Sequence, residues 1–504
     1  MEFVLLPFPQ LLFSAAIFLA AAVLLISNRL SRRYHPVVGT FLHQLIHSRR
    51  LYHYHTELSR RHKSFRIFMG PFNSIIYTSD PAVVEHVLRS SFHNYGKGER
   101  THENMEDLLG DGIFAVDGSK WRHQRKVASY EFTTRSLREH SGAVFKKNAV
   151  KVAQVVSDAA GSQQAIEIQD LFIKASTDSI FEVVCGIELN CLQGSSEERS
   201  GFVKALDDAN SQINRRFINP FWKIMRFLNT GMEKTLRQNI RVVDDYLYKV
   251  IHSKIAKMSN KTPGESNVDK DDILSRFMQE DPNKSVDHKY LRDITLNFVV
   301  AGKDSTAGAL SWFLYLLCKH PSVQEKIARE VKQAVKTGEH ATFQEFAENL
   351  TDAALENMQY LYAAINETLR LYPVIPLDPK VCFSDDTLPD GFSIRKGETI
   401  TYQPYCMGRM KYIWGEDAEE FRPERWLDEN GIVRPENPFK FSVFQAGPRI
   451  CLGKEFAYRQ MKILSAVLLR FFVFQLRNEK ETVGYKMTMT LLVDPGIYVH
   501  VVRK

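Results

Sequence analysis

The feature that most restricts the fold is how much of the chain repeats apolar residues at three- and four-residue spacing. Phe145–Ala159, Thr235–Met258, Leu291–Lys319, Ser322–Lys336 and Tyr360–Leu371 all do so, and this is the period of a helix with one buried face. Strand-like runs are short and lie towards the ends, at Phe65–Phe68, Ser74–Thr78, Thr399–Gln403 and Ile497–Val502. The polar, breaker-rich stretch Ser259–Asp272 reads as a surface loop between two helices. Helices so outweigh strands that the expected body is one mainly α domain with a small β region, not a doubly wound α/β fold. With 504 residues, 44% of them hydrophobic, the chain is long enough to enclose a large core.

The amino terminus reads differently. From Phe3 to Ile26 there is no charge, Glu2 precedes the run, and Arg29, Arg32 and Arg33 follow it. That pattern predicts a membrane anchor over residues 1–28 and not a cleaved leader, with a basic, proline-containing linker over 29–36 and the catalytic body over 37–504. By the positive-inside rule the body faces the cytosol. Lysines and arginines number 66 against 59 acidic residues and are scattered, which argues against nucleic acid as a partner and leaves acidic proteins or anionic lipid headgroups. Six dispersed cysteines with no CxxC pair suit a reducing compartment.

Four short patterns bear on chemistry. Phe444, Gly447, Arg449, Cys451 and Gly453 stand in the order FxxGxRxCxG, where two glycines and Pro448 suit a tight loop that brings backbone N–H groups near a sulfur. A helix starting near Leu452 would add its positive end. A thiolate in such a place pushes electron density onto heme iron and favours O–O cleavage, although a lone cysteine is more often a buried structural thiol. In the long central helix, Ala301-Gly302-Lys303-Asp304-Ser305-Thr306 places an acid beside two hydroxyls, with Gly302 as a weak point where the helix can widen. A flat group could lie on Ala301 while Ser305 or Thr306 donates a hydrogen bond to what that group binds; the bland alternative is a solvated polar patch. Glu367 and Arg370 are three apart on one helix face amid apolar neighbours, and Arg425 lies in a second arginine-bearing stretch, which predicts a carboxylate shared between two guanidiniums in a structural role. Trp121 and Arg125, one turn apart, offer an N–H and a guanidinium to a carboxylate, a pairing that plain amphipathicity explains equally well.

Together, from Trp121 to Gly453, these motifs resemble the cytochrome P-450 family in order and relative position. The resemblance implies the fold of that family, with a long central helix over heme b (iron protoporphyrin IX) and a thiolate loop beneath it. It implies that Cys451 is the axial ligand of the heme iron and that Ala301 to Thr306 is the oxygen-binding segment, with Asp304, Ser305 and Thr306 delivering protons. It further implies that Glu367, Arg370 and Arg425 form a structural triad and that Trp121, Arg125 and Arg449 hold the heme propionates. Lys380 falls where many members place another propionate-binding arginine, but lysine is a point charge and not a fork. One departure concerns the hydroxyl after the acid, which is Ser305 here where the family usually has threonine; serine keeps the hydroxyl and loses the methyl that fixes its rotamer.

Finer likeness, in Tyr34–Thr40, Asp111–Lys126 and Ala309–Pro321, points to the plant long-chain fatty acid ω-hydroxylase group. The implied activity is a monooxygenase that uses O2, with NADPH acting indirectly through a flavoprotein reductase. That reductase would dock against basic residues such as Arg122, Lys126, Lys440 and Lys454. The implied location is the endoplasmic reticulum membrane, in a single pass with the catalytic domain cytosolic. Two other readings share the cysteine: a heme-thiolate isomerase or dehydratase of lipid hydroperoxides, which needs neither reductase nor proton delivery, and a heme-binding protein without turnover.

Overall fold

Described in the computed structural model are residues 34–70, 73–133, 135–219, 221–259, 272–279, 287–480 and 482–504. They form two compact units. The smaller comprises the described residues up to Gly96 with Pro376–Glu419 and Asn437–Ile450, and the larger comprises Lys97–Ile375, Glu420–Glu436 and Cys451–Lys504.

The smaller unit is built on a six-stranded sheet of β1 (Val37–Thr40), β2 (Ser64–Gly70), β3 (Asn73–Thr78), β4 (Tyr95–Gly96), β5 (Asp378–Cys382) and β6 (Thr399–Tyr402). The spatial order is β1-β2-β3-β6-β5-β4. Antiparallel pairing of β2 with β3 sets Phe65 opposite Tyr77, and parallel pairing of β3 with β6 sets Ile76 opposite Ile400. Alternation along β2 sends Phe65 and Ile67 into a core with Leu51, Tyr54, Leu58 and Tyr77. Into the same unit the helix Leu51–Arg61 delivers His55, fully buried between the rings of Phe65 and Tyr77 and donating from Nδ1 to Gln403 Oε1 at 2.8 Å.

Ten helices of the larger unit recur below: α1 (Glu99–Leu109), α2 (Gly118–Thr133), α3 (Arg135–Ser162), α4 (Ile168–Cys185), α5 (Glu197–Arg216), α6 (Gly231–Ser259), α7 (His288–Lys319), α8 (Pro321–Ala334), α9 (Gln359–Leu371) and α10 (Lys454–Phe471). Each of the five helical segments expected from periodicity lies within α3, α6, α7, α8 or α9, give or take two residues at the ends. Most of the expected surface loop after α6 lies outside the described residues. With 32 residues α7 runs about 48 Å at 1.5 Å per residue. Asp287 caps its start by accepting from the N–H of Tyr290, and Pro321, which cannot continue a helix, opens α8 at its first position. Its second half is held by Trp312, whose indole donates to the Leu491 carbonyl at 2.8 Å and stacks on Tyr372 at 4.0 Å between centroids. A small antiparallel sheet of Phe472–Leu476, Tyr498–Arg503 and Ile166–Glu167 closes this unit.

The mainly α architecture with a small β region agrees with the sequence reading, and one part of that reading is corrected. Among the described residues no helix is long and apolar enough to cross a membrane. The physical reason is visible in α7, which is buried along most of its length yet carries Arg292, Asp293, Lys303 and Asp304 within it. The transmembrane helix, the membrane as a partner and the single-pass endoplasmic reticulum location that rested on them are therefore not upheld. Residues 1–28, on which the expected anchor fell, lie outside the described residues.

Burial lowers the pKa of the His55 imidazole from 6.5 to about 4, against a smaller opposing effect of its bond to Gln403. Above pH 6.5 the ring is neutral both folded and unfolded. Between there and pH 4 only the unfolded chain takes up the proton, so stability falls as pH falls, by up to about 3 kcal/mol. Denaturant unfolding at a series of pH values should show that slope, and His55→Gln should flatten it.

Candidate active site

Along α7 every residue from Leu291 to Leu317 is buried except Val300, Ala301, Gly302, Asp304 and Ser305. This window of partial exposure in the middle of a core helix means that open space lies against it. Ala301 and Ser305 are one turn apart, so both border that space, while Thr306 is buried beside them. The Ser305 hydroxyl donates to the Ala301 carbonyl at 2.6 Å, a backward bond of the kind that loosens a helix locally. Gly302 faces α4. A Cβ placed on it would sit 2.5 Å from Ile180 Cγ1, so close approach of the two helices requires a glycine there.

The cysteine loop is built from glycine geometry. Gly447 has φ of +66°, and a Cβ on it would fall 1.9 Å from the Leu88 carbonyl oxygen, so no other residue fits without moving backbone. Gln445 is also left-handed, at φ +59°, which a non-glycine residue tolerates at some strain. Phe444 and Arg449 are half-buried in the same unit. Two residues beyond Arg449, Cys451 precedes Gly453, the N-cap of α10, so its sulfur lies at the positive end of an 18-residue helix. Solvent reaches Cys451, yet the surrounding protein desolvates it enough to push the thiol pKa up. The Gly453 N–H and the charges of Arg125 and Lys454 pull the other way.

Arg125 is half-buried on α2, one turn after the buried Trp121. Burial pushes the pKa of its guanidinium down, and the sulfur of Cys451 opposes this, so the two groups share one electrostatic environment. Lys380 is buried on β5 of the smaller unit, where it donates to Asp378 at 2.7 Å; Tyr402 donates to the same carboxylate at 2.7 Å. Of the basic candidates for partner docking, Arg122 and Lys126 are exposed, Lys454 is half-buried, and Lys440 lies 4.3 Å over the Trp414 ring.

Glu367 is fully buried on α9 and is a hub of donors. Arg370 grips both its oxygens, at 2.7 and 2.8 Å, and Arg425 reaches one of them at 3.3 Å. Sequence reasoning missed two further donors, the Trp426 indole at 2.9 Å and the Arg422 backbone N–H at 3.0 Å. Neither carries a local signal, because each becomes a partner only when residues 420–436 fold back over α9. Also missed was Lys303, which is buried and donates to Asp304 and to Asp207 of α5. Within its motif it reads as a spacer.

These residues fit a heme. A solvent-accessible thiol beside a guanidinium and a helix start suits an iron ligand, since metal coordination deprotonates such a thiol outright. The half-open run on α7 supplies small residues for a flat face, with an acid and hydroxyls next to them. A heme-thiolate oxygenase is the class that this combination of helix, thiol and acid defines. The chain belongs to the cytochrome P450 family, whose model matches residues 31–501. It is 48% identical to Cytochrome P450 704C1 of Pinus taeda over 93% of this chain and 92% of that protein. It is 41% identical to Cytochrome P450 704B1 of Arabidopsis thaliana over 93% and 94%, and 37% identical to Cytochrome P450 86B1 of the same plant over 87% and 79%. It is accordingly a heme-dependent monooxygenase of lipophilic substrates that uses O2 and takes electrons from NADPH through a reductase.

Two substitutions probe this framework. Glu367→Gln would leave two buried guanidiniums without their shared charge and is expected to lower stability by about 3–5 kcal/mol, read by thermal unfolding of the holoprotein. Gly302→Ala would overpack Ile180 and cost about 1–3 kcal/mol, and Ile180→Ala, which removes both Cγ1 and Cδ1 from the contact, should make the added Cβ cost less than it does in the unaltered protein.

Proposed function

We propose that this monooxygenase hydroxylates a long-chain fatty acid at or near its methyl end, with residues 37–504 as the catalytic domain. Heme bound at Cys451 supplies the oxygen-activating chemistry, and the protein supplies orientation and protons. In this reading Cys451 would hold the heme iron, its charge moderated by the Gly453 N–H, Arg125 and Lys454. By the resemblance, Trp121, Arg125 and Arg449 would hold the propionates. Lys380, which the resemblance offers as a further propionate ligand, is already paired with Asp378. Phe444, Gly447 and Gly453 shape the loop, Ala301 would give the ring a flat wall, and Gly302 lets α4 pack closely behind it.

Proton supply follows from the hydroxyl geometry. With its hydrogen on the Ala301 carbonyl, Ser305 presents only lone pairs to the open side of α7. It must rotate about χ1 to hand a proton outward, and serine, lacking the methyl of threonine, does so easily. Asp304 is the acid that replenishes it, with Thr306 as the neighbouring hydroxyl. The observation that carries the reading is the accessible sulfur of Cys451 at the start of α10. Support for a fatty acid comes from the resemblance in the 34–40, 111–126 and 309–321 stretches.

With reductase, NADPH and palmitic acid, the protein should consume oxygen and release an ω- or near-ω-hydroxy acid, identified by mass spectrometry. Turnover of lipid hydroperoxides without NADPH, or no turnover at all, would refute this. Ser305→Ala should lower product per oxygen consumed by about 3- to 10-fold. Cys451→His should abolish the thiolate-type Soret band of the reduced, carbon-monoxide-bound form.

A further inference from the structure

Lys303 is the residue of the α7 window that faces away from the open space, and its surroundings are unusual. Its side chain is 4% exposed, and its ammonium lies 2.6 Å from Asp207 Oδ1 and 2.7 Å from Asp304 Oδ1. The other oxygen of Asp304 accepts a long hydrogen bond, 3.5 Å, from Asn210 Nδ2. Asp207 and Asn210 are three apart on α5 and so share the face that meets Asp304. Asp207 is 47% exposed and Asp304 15% exposed, so the group runs from solvent at α5 inward to the acid of α7.

One cation between two carboxylates is a competition. A buried ammonium must stay paired; burial alone would push the pKa of Lys303 down, and the two carboxylates more than reverse it. Its charge is therefore permanent at neutral pH, and whichever carboxylate it grips more tightly is the less free to move. An acid that passes protons to Ser305 and Thr306 has to leave its ion pair to do so.

We infer that Asp207 is a positioning residue for oxygen activation: by sharing the Lys303 ammonium it keeps the Asp304 carboxylate releasable, and it ties that release to helix α5. The inference rests on the reading of Asp304 as the proton-delivering acid. Without the Asp207 charge, Lys303 would close wholly onto Asp304 and proton supply would slow. Asp207 itself is not among the residues assigned to hold the heme or to hand on protons.

The test uses the full-length holoenzyme with reductase and palmitic acid. Asp207→Asn is expected to lower product per oxygen consumed about 5-fold, with matching peroxide release and a larger solvent isotope effect. The carbon-monoxide-bound spectrum and the palmitate-induced spectral shift should be unchanged. Asp207→Glu should restore coupling to within about 2-fold. Because Asp207 acts through Lys303, Asp207→Asn should change nothing further when added to Lys303→Met. Thermal unfolding of the unaltered protein, Asp207→Asn, Lys303→Met and the double variant, which needs no substrate, should show the same pattern, the double variant melting where Lys303→Met alone does. Unchanged coupling in Asp207→Asn, additive melting losses, or a coupling loss that appears only with loss of the thiolate spectrum would each overturn the inference. Asp304→Asn separates the two levels: if it uncouples the enzyme while Asp207→Asn does not, only the link through Lys303 fails. If it leaves coupling intact, the role of Asp304 fails and the inference falls with it.

Discussion

A carboxylate with no access to water holds the larger unit together. An ionised side chain removed from solvent is tolerated only when donors replace the lost hydration, and Glu367 has them from Arg370, Arg425, Trp426 and the Arg422 backbone. Each donor lies on residues 420–436 or on α9 itself. Arg370 reaches further, to the Glu420 carbonyl at 2.9 Å. Residues 420–426 are thus held against α9 at one geometry. Apolar packing alone, which is indifferent to small slides, would not impose this.

The second constraint is that α7 belongs to the core and the site at once. Its buried length anchors it through Trp312 and Asn297, the latter donating to the Leu109 carbonyl and accepting from the Phe114 N–H. Such anchoring at both ends lets the middle depart from ideal packing. Gly302 admits α4 closely on one side, and Ala301 and Ser305 leave space on the other. Polar residues that would weaken an isolated helix are affordable there because tertiary contacts already hold it.

Much of this was legible in the sequence, for reasons that differ from residue to residue. Helical period marked α3, α6 and α8 because each buries one face and shows the other to solvent, whereas α7 and α9 are buried along most of their length and were marked by the spacing of their apolar residues. The four expected strands appeared because apolar residues bury one face of each, Phe65 and Ile67 in the first, Ile76 in the second, Ile400 in the third, and Val499 and Val501 in the fourth. The glycine at 447 was legible as a tight-loop residue, and the Leu88 carbonyl against it supplies the reason. Lys380 was read only from the family resemblance, whereas its contact with Asp378 depends on Asp378 standing two residues away on the same strand face. The hydrophobic run at the amino terminus matched a length rule, and no described helix bears it out.

By itself the sequence determined that five long segments are helices, which cysteine stands in a glycine-shaped loop, and that an acid and two hydroxyls share one helix turn, because these depend on residues near one another along the chain. Only the tertiary structure decided that Trp426 serves Glu367, that Ile180 explains Gly302, and that Lys303 stands between Asp207 and Asp304. Those pairings join residues distant in sequence, and no local period or spacing encodes which distant partner a buried charge or a missing Cβ will meet.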